Sequence, residues 1–541
     1  MGKVDSAILV QSKDRPTAWG AAVVSYRRRL GVLIVVGIIF VAATVLLRRY
    51  FPFSEKSVTE SLRETFPGTL QVHHFEVVYF PHPGCRAEGV TFRSNSSAPG
   101  APPFVTIQRL TIQGSYADLL LRPHHISRVF LDGLRVQFPP LGNAGDFSGK
   151  DSASQITIGE LVANGAVLEF ARAGNHLPLR FDVHELSLSS SVKGGVSYQV
   201  TLQNPEPPGE IRSVGHFGPF NARNPGQTAM SGTYSFDRGD LSAFNGIAGI
   251  LASKGTFSGP LAHVDVQGTT EVPDFELVRS GHAEHLLTHF QAAVDATNGD
   301  VALNSVNASY LSTGISAKGN IAHQKGWAGK FTSLDLAVRD GRIQDILRLI
   351  VRENRPPMSG VTSFQAHVTV PPEGRPFLKE VTLQGDFGIA GGHFEKPSTQ
   401  ESVDKLSEAA RGQKKAQQDE DEANPADNVI SDLRGHVVLR NAVATLTDLS
   451  FTVPGADARM HGTYNVLNGK IDFRGTVKMD AKFSQSTSGL KSLFAKVLDP
   501  LFNKKHGSVV PVRMDGTYHN PHIGLDLSAP SAPPRLSSAA R

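Results

Sequence analysis

The chain has 541 residues with 54 Lys and Arg against 50 Asp and Glu, a formal net charge of +4 that leaves no basic stripe for nucleic acid. A single cysteine, Cys85, excludes an intramolecular disulfide framework, so a body outside the cytoplasm has to rest on strand pairing and apolar burial. With 52 Gly, 33 Pro and 8% aromatics, the composition is that of a turn-rich β-protein and not of a disordered chain.

Residues 1–29 carry Lys13, Arg15 and Arg27-Arg28-Arg29 and read as a cytoplasmic segment under the positive-inside rule. The run Leu30 to Leu47 (30–47) is the only long uncharged apolar stretch. At 1.5 Å per residue it makes a helix of about 27 Å, enough to predict a single N-terminal transmembrane helix. Its length, and the absence of a small-residue cleavage site before Arg48-Arg49, separate it from a secretory signal.

The region 48–410 reads as β-rich. It opens with Ser57-Val58-Thr59-Glu60, which has capping-box spacing. Val58, Leu62 and Phe66 then predict a short amphipathic helix at the membrane face, stopped by Pro67-Gly68. From Leu70 the period is two. Leu134, Val136 and Phe138 alternate with Arg135 and Gln137, which predicts a sheet with one apolar face. Asn164-Gly165, Asn298-Gly299 and Asn468-Gly469 are hairpin signals, so the topology is expected to be mainly antiparallel and local. The phrase Met-x-Gly-Thr-Tyr occurs at Met230 to Tyr234, Met460 to Tyr464 and Met514 to Tyr518, with a relative at Gly255-Thr256-Phe257. Without a fixed period it reads as a recurring way of starting a strand. Ile343, Ile346, Leu347, Ile350 and Val351 predict a helix between Gly341 and Pro356-Pro357.

Residues 411–427 form a charged linker, expected to be mobile. In the C-terminal β region, 428–527, Val437 and Leu439 alternate with His436, Val438 and Arg440, and Ile471 and Phe473 flank Asp472. Near 488–503, Leu490, Leu493, Phe494, Val497, Leu498, Leu501 and Phe502 keep a helical stripe that Pro500 should kink. It packs on the sheet or serves as a membrane-surface or groove-capping helix. The tail 528–541 is expected to be disordered.

No Walker-type loop, Gly-x-Ser-x-Gly or His-Glu-x-x-His is present. His282, His285 and His289 are the best metal candidates. However, Leu286, Thr288, Phe290, Ala292 and Val294 alternate through the same segment, so the expectation is surface-facing strand histidines with no ligand set. The expected protein is not an enzyme and carries no cofactor.

Several stretches resemble the AsmA-like family: Ser115 to Leu120 followed by Ile126 to Phe138, Asp340 to Leu347 followed by Met358 to Val361, and Leu449 to Ala456. The remaining ones are Leu498 to Phe502 and Gly516 to Pro521. The resemblance covers roughly Arg28 to Leu527. It implies an inner-membrane helix and a long periplasmic body, related to bridge-like lipid transfer proteins whose curved sheet encloses a groove for acyl chains. The implied partners are membrane phospholipids, the inner membrane and other envelope proteins, with no nucleic acid. On this reading the fold is mainly β: one transmembrane helix, then a long, mostly antiparallel curved sheet forming an open trough, with a few amphipathic helices. Leu134, Val136, Phe138, Val437, Leu439, Ile471 and Phe473 are the candidate lipid-groove residues, and the Leu490 to Phe502 stripe the candidate helix face. About 25 strands at about 4.8 Å would give a trough of about 120 Å. A packed sandwich core for the same apolar residues, and a scaffold role in outer-membrane protein assembly, remain the alternatives.

Overall fold

The computed structural model describes residues 53–526 apart from internal gaps, the longest being 139–156, 405–429 and 480–508. Leu30 to Leu47, the 411–427 linker, the 488–503 helix and the 528–541 tail therefore lie outside the described residues. Among those described, no helix is long and apolar enough to cross a membrane.

Twenty-six strands hydrogen-bond into one sheet. From the strand Leu179–Ser190 to the strand Asn520–Leu525, each strand pairs antiparallel with the next, except that the two-residue strand Ile247–Ala248 sits to one side. The pairing continues across the 411–427 linker, because Thr382–Phe394 is joined directly to Ser431–Arg440. The exception to antiparallel order lies near the N-terminus. There Thr157–Phe170 runs parallel to His125–Asp132 and then to Arg135–Phe138. A parallel neighbour needs a crossover of a dozen or more residues, and the chain between Phe138 and Thr157 is long enough to supply one. Asn164-Gly165 is consequently no hairpin. Gly165 takes φ +62° inside a continuous strand at the point where that strand changes partners, opposite the Gly133-Leu134 turn. Asn298-Gly299 and Asn468-Gly469 do form the expected turns.

Two pairs of short strands share positions and Ile247–Ala248 adds none, so the 26 strands occupy 23 positions across the sheet. At about 4.8 Å each the sheet is about 105 Å wide along its surface. It is not flat. Phe377 N donates to the Asn245 carbonyl at 3.0 Å, although the two loops belong to strands seven positions apart, about 34 Å on a flat sheet. The helix Ile343–Ile350 contacts both Val264–Leu277 and Met358–Val370. At about 12 Å long it could not bridge them unless the sheet between were curled.

Bulges supply the bend, interrupting register at Phe236/Gly239, Val272/Phe275, Leu303/Val306, Val338/Gly341 and Leu446/Leu449. Glycines permit it: a Cβ on Gly255 would sit 2.2 Å from the Gln267 carbonyl, and one on Gly475 would sit 2.0 Å from that of Arg459.

The helix Glu55–Thr65 begins two residues before Ser57, the expected cap. Ser54 is its cap, with Oγ accepting from Ser57 N at 3.4 Å. Val58 and Leu62 join Phe53 in one cluster with Cys85, Ala87, Val90 and Phe92, so the apolar side of this helix covers the first positions of the apolar face.

Candidate functional site

Residues paired across a ladder share a face, and following the pairs shows one mainly apolar face, crossed by the hydroxyl row Ser253, Thr270 and Thr288. In the middle of the sheet it reads Leu202–Ile211–Phe236, Val266–Ala292–Leu303, and Leu336–Ala366–Gly385–Val437. Near the C-terminus it reads Tyr464–Ile471 and Phe473–Met514. Between Leu179 and Met514, the paired inward positions hold Asp, Glu, Lys or Arg only at Glu284 and Lys330. Both are at strand ends and both are ion-paired, Glu284 to Arg348 and Lys330 to Asp300 at 2.9 Å. An unpaired charge would interrupt an apolar path at a cost of several kcal/mol, and the face has none at its paired centre.

The recurring phrase finds its meaning here. Met230, Gly232 and Tyr234, like Met460, Gly462 and Tyr464, all point inward while the threonine points out. The second and third copies lie late in their strands, so the phrase does not mark strand starts. Four inward glycines face a ring on the neighbouring strand: Gly232 opposite Phe257, Gly268 opposite Phe290, Gly435 opposite Phe387, Gly462 opposite Phe473. The ring fills the space that the missing side chain leaves, which holds the curl without a void.

Packing along the face is uneven. One cluster fills the N-terminal end around Cys85, Val90 and Leu110, with a satellite at Ala163, Ala166 and Val183, and another fills the C-terminal end around Val453, Val477 and Val510. Cys85 is so enclosed that burial pushes its thiol up to about 12. In the middle, Leu188, Val200, Tyr234, Phe257, Phe290 and Leu336 are only half-buried. A sandwich core would cover them at or below the few-per-cent exposure of the terminal clusters. These larger inward side chains of the middle are thus less covered than the terminal clusters, although Val264, Val272, Ala292, Tyr310 and Val338 among them are buried.

The helix Ile343–Ile350 spans as a strap between the strands Val264–Leu277 and Met358–Val370. Its Asp345, 7% exposed, accepts from Ser312 N (3.1 Å), Ser312 Oγ (2.7 Å) and Thr313 Oγ1 (2.8 Å). Arg348 pairs with Glu284, and Gln344 Oε1 accepts from Gly360 N at 3.2 Å. Beneath it burial, reinforced by Glu284, pushes the Tyr310 phenol up to about 12. Farther along, burial and then the charge of Glu353 push the Tyr518 phenol up to about 12 and raise that of Tyr464. Glu353, in the loop after the helix, thus lies close enough to Tyr464 and Tyr518 for its charge to act on both phenols.

The outward face is polar and laced with exposed cross-strand pairs, among them His367 with Asp335 (2.9 Å) and His436 with Asp386 (2.8 Å). Each such pair contributes little stability. Two shallow depressions of about 650 and 720 Å³ lie on this side, lined by residues such as Lys254, Gln267 and His289, and Asp335, His367 and His436. Their linings mix polar and apolar groups, and the first also touches the inward rings of Tyr234 and Phe290.

The candidate groove residues share the inward face but do not form one site. Val136 and Phe138 pair with Leu168 and Phe170 near the N-terminus, and Leu134 packs in the adjoining turn. Val437 and Leu439 are half-buried fourteen positions away, while Ile471 (6% exposed) and Phe473 (8%) sit still farther along in packed surroundings. The half-buried inward side chains between Tyr198 and Leu336 were missed, although their alternation, as in Val196-Ser197-Tyr198-Gln199-Val200, carries the same signal. His285 and His289 do point outward, to Glu271 (2.9 Å) and Thr269 Oγ1 (3.1 Å). His282 departs from expectation. It precedes the strand, is 9% exposed, and its Nε2 bonds the Glu353 carbonyl at 2.9 Å. Among the described residues, no three His, Cys, Asp or Glu side chains converge as metal ligands.

Compared with protein-family models, with curated proteins and with solved structures, the chain matches none of them.

Proposed function

We propose that this protein is a non-enzymatic lipid carrier, held in the inner membrane by Leu30 to Leu47, with its body in the periplasm. Its inward face accepts the acyl chains of phospholipids in transit toward the outer membrane. One observation carries the reading: a mainly apolar inward face that runs across the sheet, is free of charge at its paired centre, and leaves large side chains such as Val200, Tyr234, Phe257, Phe290 and Leu336 only half-buried. Half-exposed aliphatic and aromatic side chains in a curled trough are stabilised when hydrocarbon covers them, at about 25 cal/mol per Å² removed from water. The resemblance to the AsmA-like family supports the same reading and gives the compartment.

The test is to purify the full-length chain in mild detergent and identify retained lipid by mass spectrometry. The purified chain is then assayed for exchange of labelled phospholipid between vesicles. Retained phospholipid and accelerated exchange are expected. A folded chain that holds no lipid and moves none would overturn the reading in favour of a scaffold acting through protein contacts.

A further inference from the structure

Phe53 is 3% exposed and its ring lies against Gly114, where a Cβ would meet Phe53 Cζ at 2.8 Å; Gly114 N in turn donates to the Pro83 carbonyl at 2.7 Å. The chain coming from Leu47 thus enters the body between the turn that holds Tyr79 to Pro83 and the segment Gly114 to Tyr116. Six residue steps separate Leu47 from Phe53, at most about 21 Å of extended chain. Three exposed rings surround this entry point. Phe80 is 83% exposed, more than any other large apolar side chain among the described residues, and Tyr79 and Tyr116 are 45% and 43% exposed. Tyr116 Oη donates to the Tyr79 carbonyl, tying the two segments into one patch.

A phenylalanine flanked by two tyrosines suits the headgroup layer of a bilayer, where an apolar ring faces acyl chain and a phenol stays hydrated. We propose that Tyr79, Phe80 and Tyr116 insert into the surface of the bilayer that Leu30 to Leu47 spans, giving the body a second foothold that fixes its tilt. This rests on reading Leu30 to Leu47 as the anchor. A single helix with a short tether leaves the body free to swivel, whereas two contacts orient the sheet against the membrane. The patch would sit within the outer 5–10 Å or so of the headgroup and acyl boundary.

The test uses the full-length chain in vesicles of phosphatidylethanolamine and phosphatidylglycerol with brominated acyl chains. Phe80→Cys is labelled with an environment-sensitive fluorophore, and Val214→Cys, exposed on the outward face, is the control. Buried Cys85 stays unlabelled in the folded chain. The expected result is a chain that floats with the vesicles, with emission at position 80 blue-shifted and largely quenched and emission at position 214 unchanged. A chain that floats with neither label quenched overturns this proposal and leaves the anchor standing. Equal quenching at both positions means general adsorption and also overturns it. Disulfide linkage of two Phe80→Cys chains in place of quenching identifies a second copy as the occupant and overturns it. A chain that does not float removes the anchor, and the foothold with it.

Discussion

Placing a carboxylate on the inward face should have opposite consequences in the middle and at the end. Val477 is 4% exposed within the C-terminal cluster, paired with Ala458 and Val510. Val477→Glu forfeits about 1.5–3 kcal/mol of burial and leaves a buried unpaired charge worth about 3–5 kcal/mol, together comparable to a typical stability of 5–15 kcal/mol. Leu336 is half-buried between Ala317 and Ala366. Leu336→Glu loses only part of a side chain's burial, about 1 kcal/mol, and its charge can reach water in an empty trough. Once acyl chains fill the trough the same charge is enclosed, and a penalty of about 3–4 kcal/mol lowers lipid retention by about 10²–10³-fold. The outward Gln365→Glu is the matched control. Each variant is assayed by urea unfolding of the full-length chain and by mass spectrometry of retained lipid. The expected pattern is Val477→Glu unfolded, Leu336→Glu folded and lipid-poor, and Gln365→Glu normal in both. If Leu336→Glu collapses like Val477→Glu, the middle is a packed core and the reasoning is wrong; if it folds and keeps its lipid, the trough does not hold acyl chains.

Gly255→Val should destabilise by about 1–3 kcal/mol in urea melts, because its Cβ would lie 2.2 Å from the Gln267 carbonyl and 2.9 Å from the Tyr234 ring, whereas the outward neighbour Lys254→Val should change little. Asp345→Ala removes the acceptor shared by Ser312 and Thr313 and should cost about 1–3 kcal/mol, read as faster amide exchange in Ile343–Ile350; unchanged protection there would deny the strap its anchor. The phenols of Tyr310 and Tyr518 are pushed up to about 12 in the folded chain against about 10 when unfolded. Their neutral forms therefore contribute stability fully below pH of about 10, and it is lost as pH rises through about 12, a decline that Tyr310→Phe should lessen in denaturation midpoints. His285→Ala and His289→Ala should leave stability within about 0.5 kcal/mol and bound metal unchanged, since both rings are on the outward surface.

Alternation was legible wherever it was sought. Val136 with Arg135, and Leu439 with Arg440, fall on the faces their spacing predicts, because the period of two is a property of the local backbone. The strap helix was equally legible, and Ile343–Ile350 lies where the stripe and the prolines place it. Curvature was not. It depends on bulges that shift register by one residue and on contacts such as Asn245 with Phe377, 132 residues apart, which no local pattern encodes. Asn164-Gly165 shows the same limit. A left-handed glycine serves a tight turn or a kink equally well, and here the long crossover after Phe138, with its parallel pairing, decides for the kink. His282 misled for a related reason, since its burial is set by the loop that brings in Glu353, 71 residues later.

The claim that the inward face holds lipid is tested most directly by a photo-crosslinking scan of the full-length chain in its native membrane, with a photoreactive residue at consecutive positions from Leu286 to Phe290. The register places Leu286, Thr288 and Phe290 inward and Leu287 and His289 outward. The account predicts phospholipid adducts that alternate along the strand, present at the three inward positions and absent at the two outward ones. Adducts on both faces alike, or on neither, would contradict it.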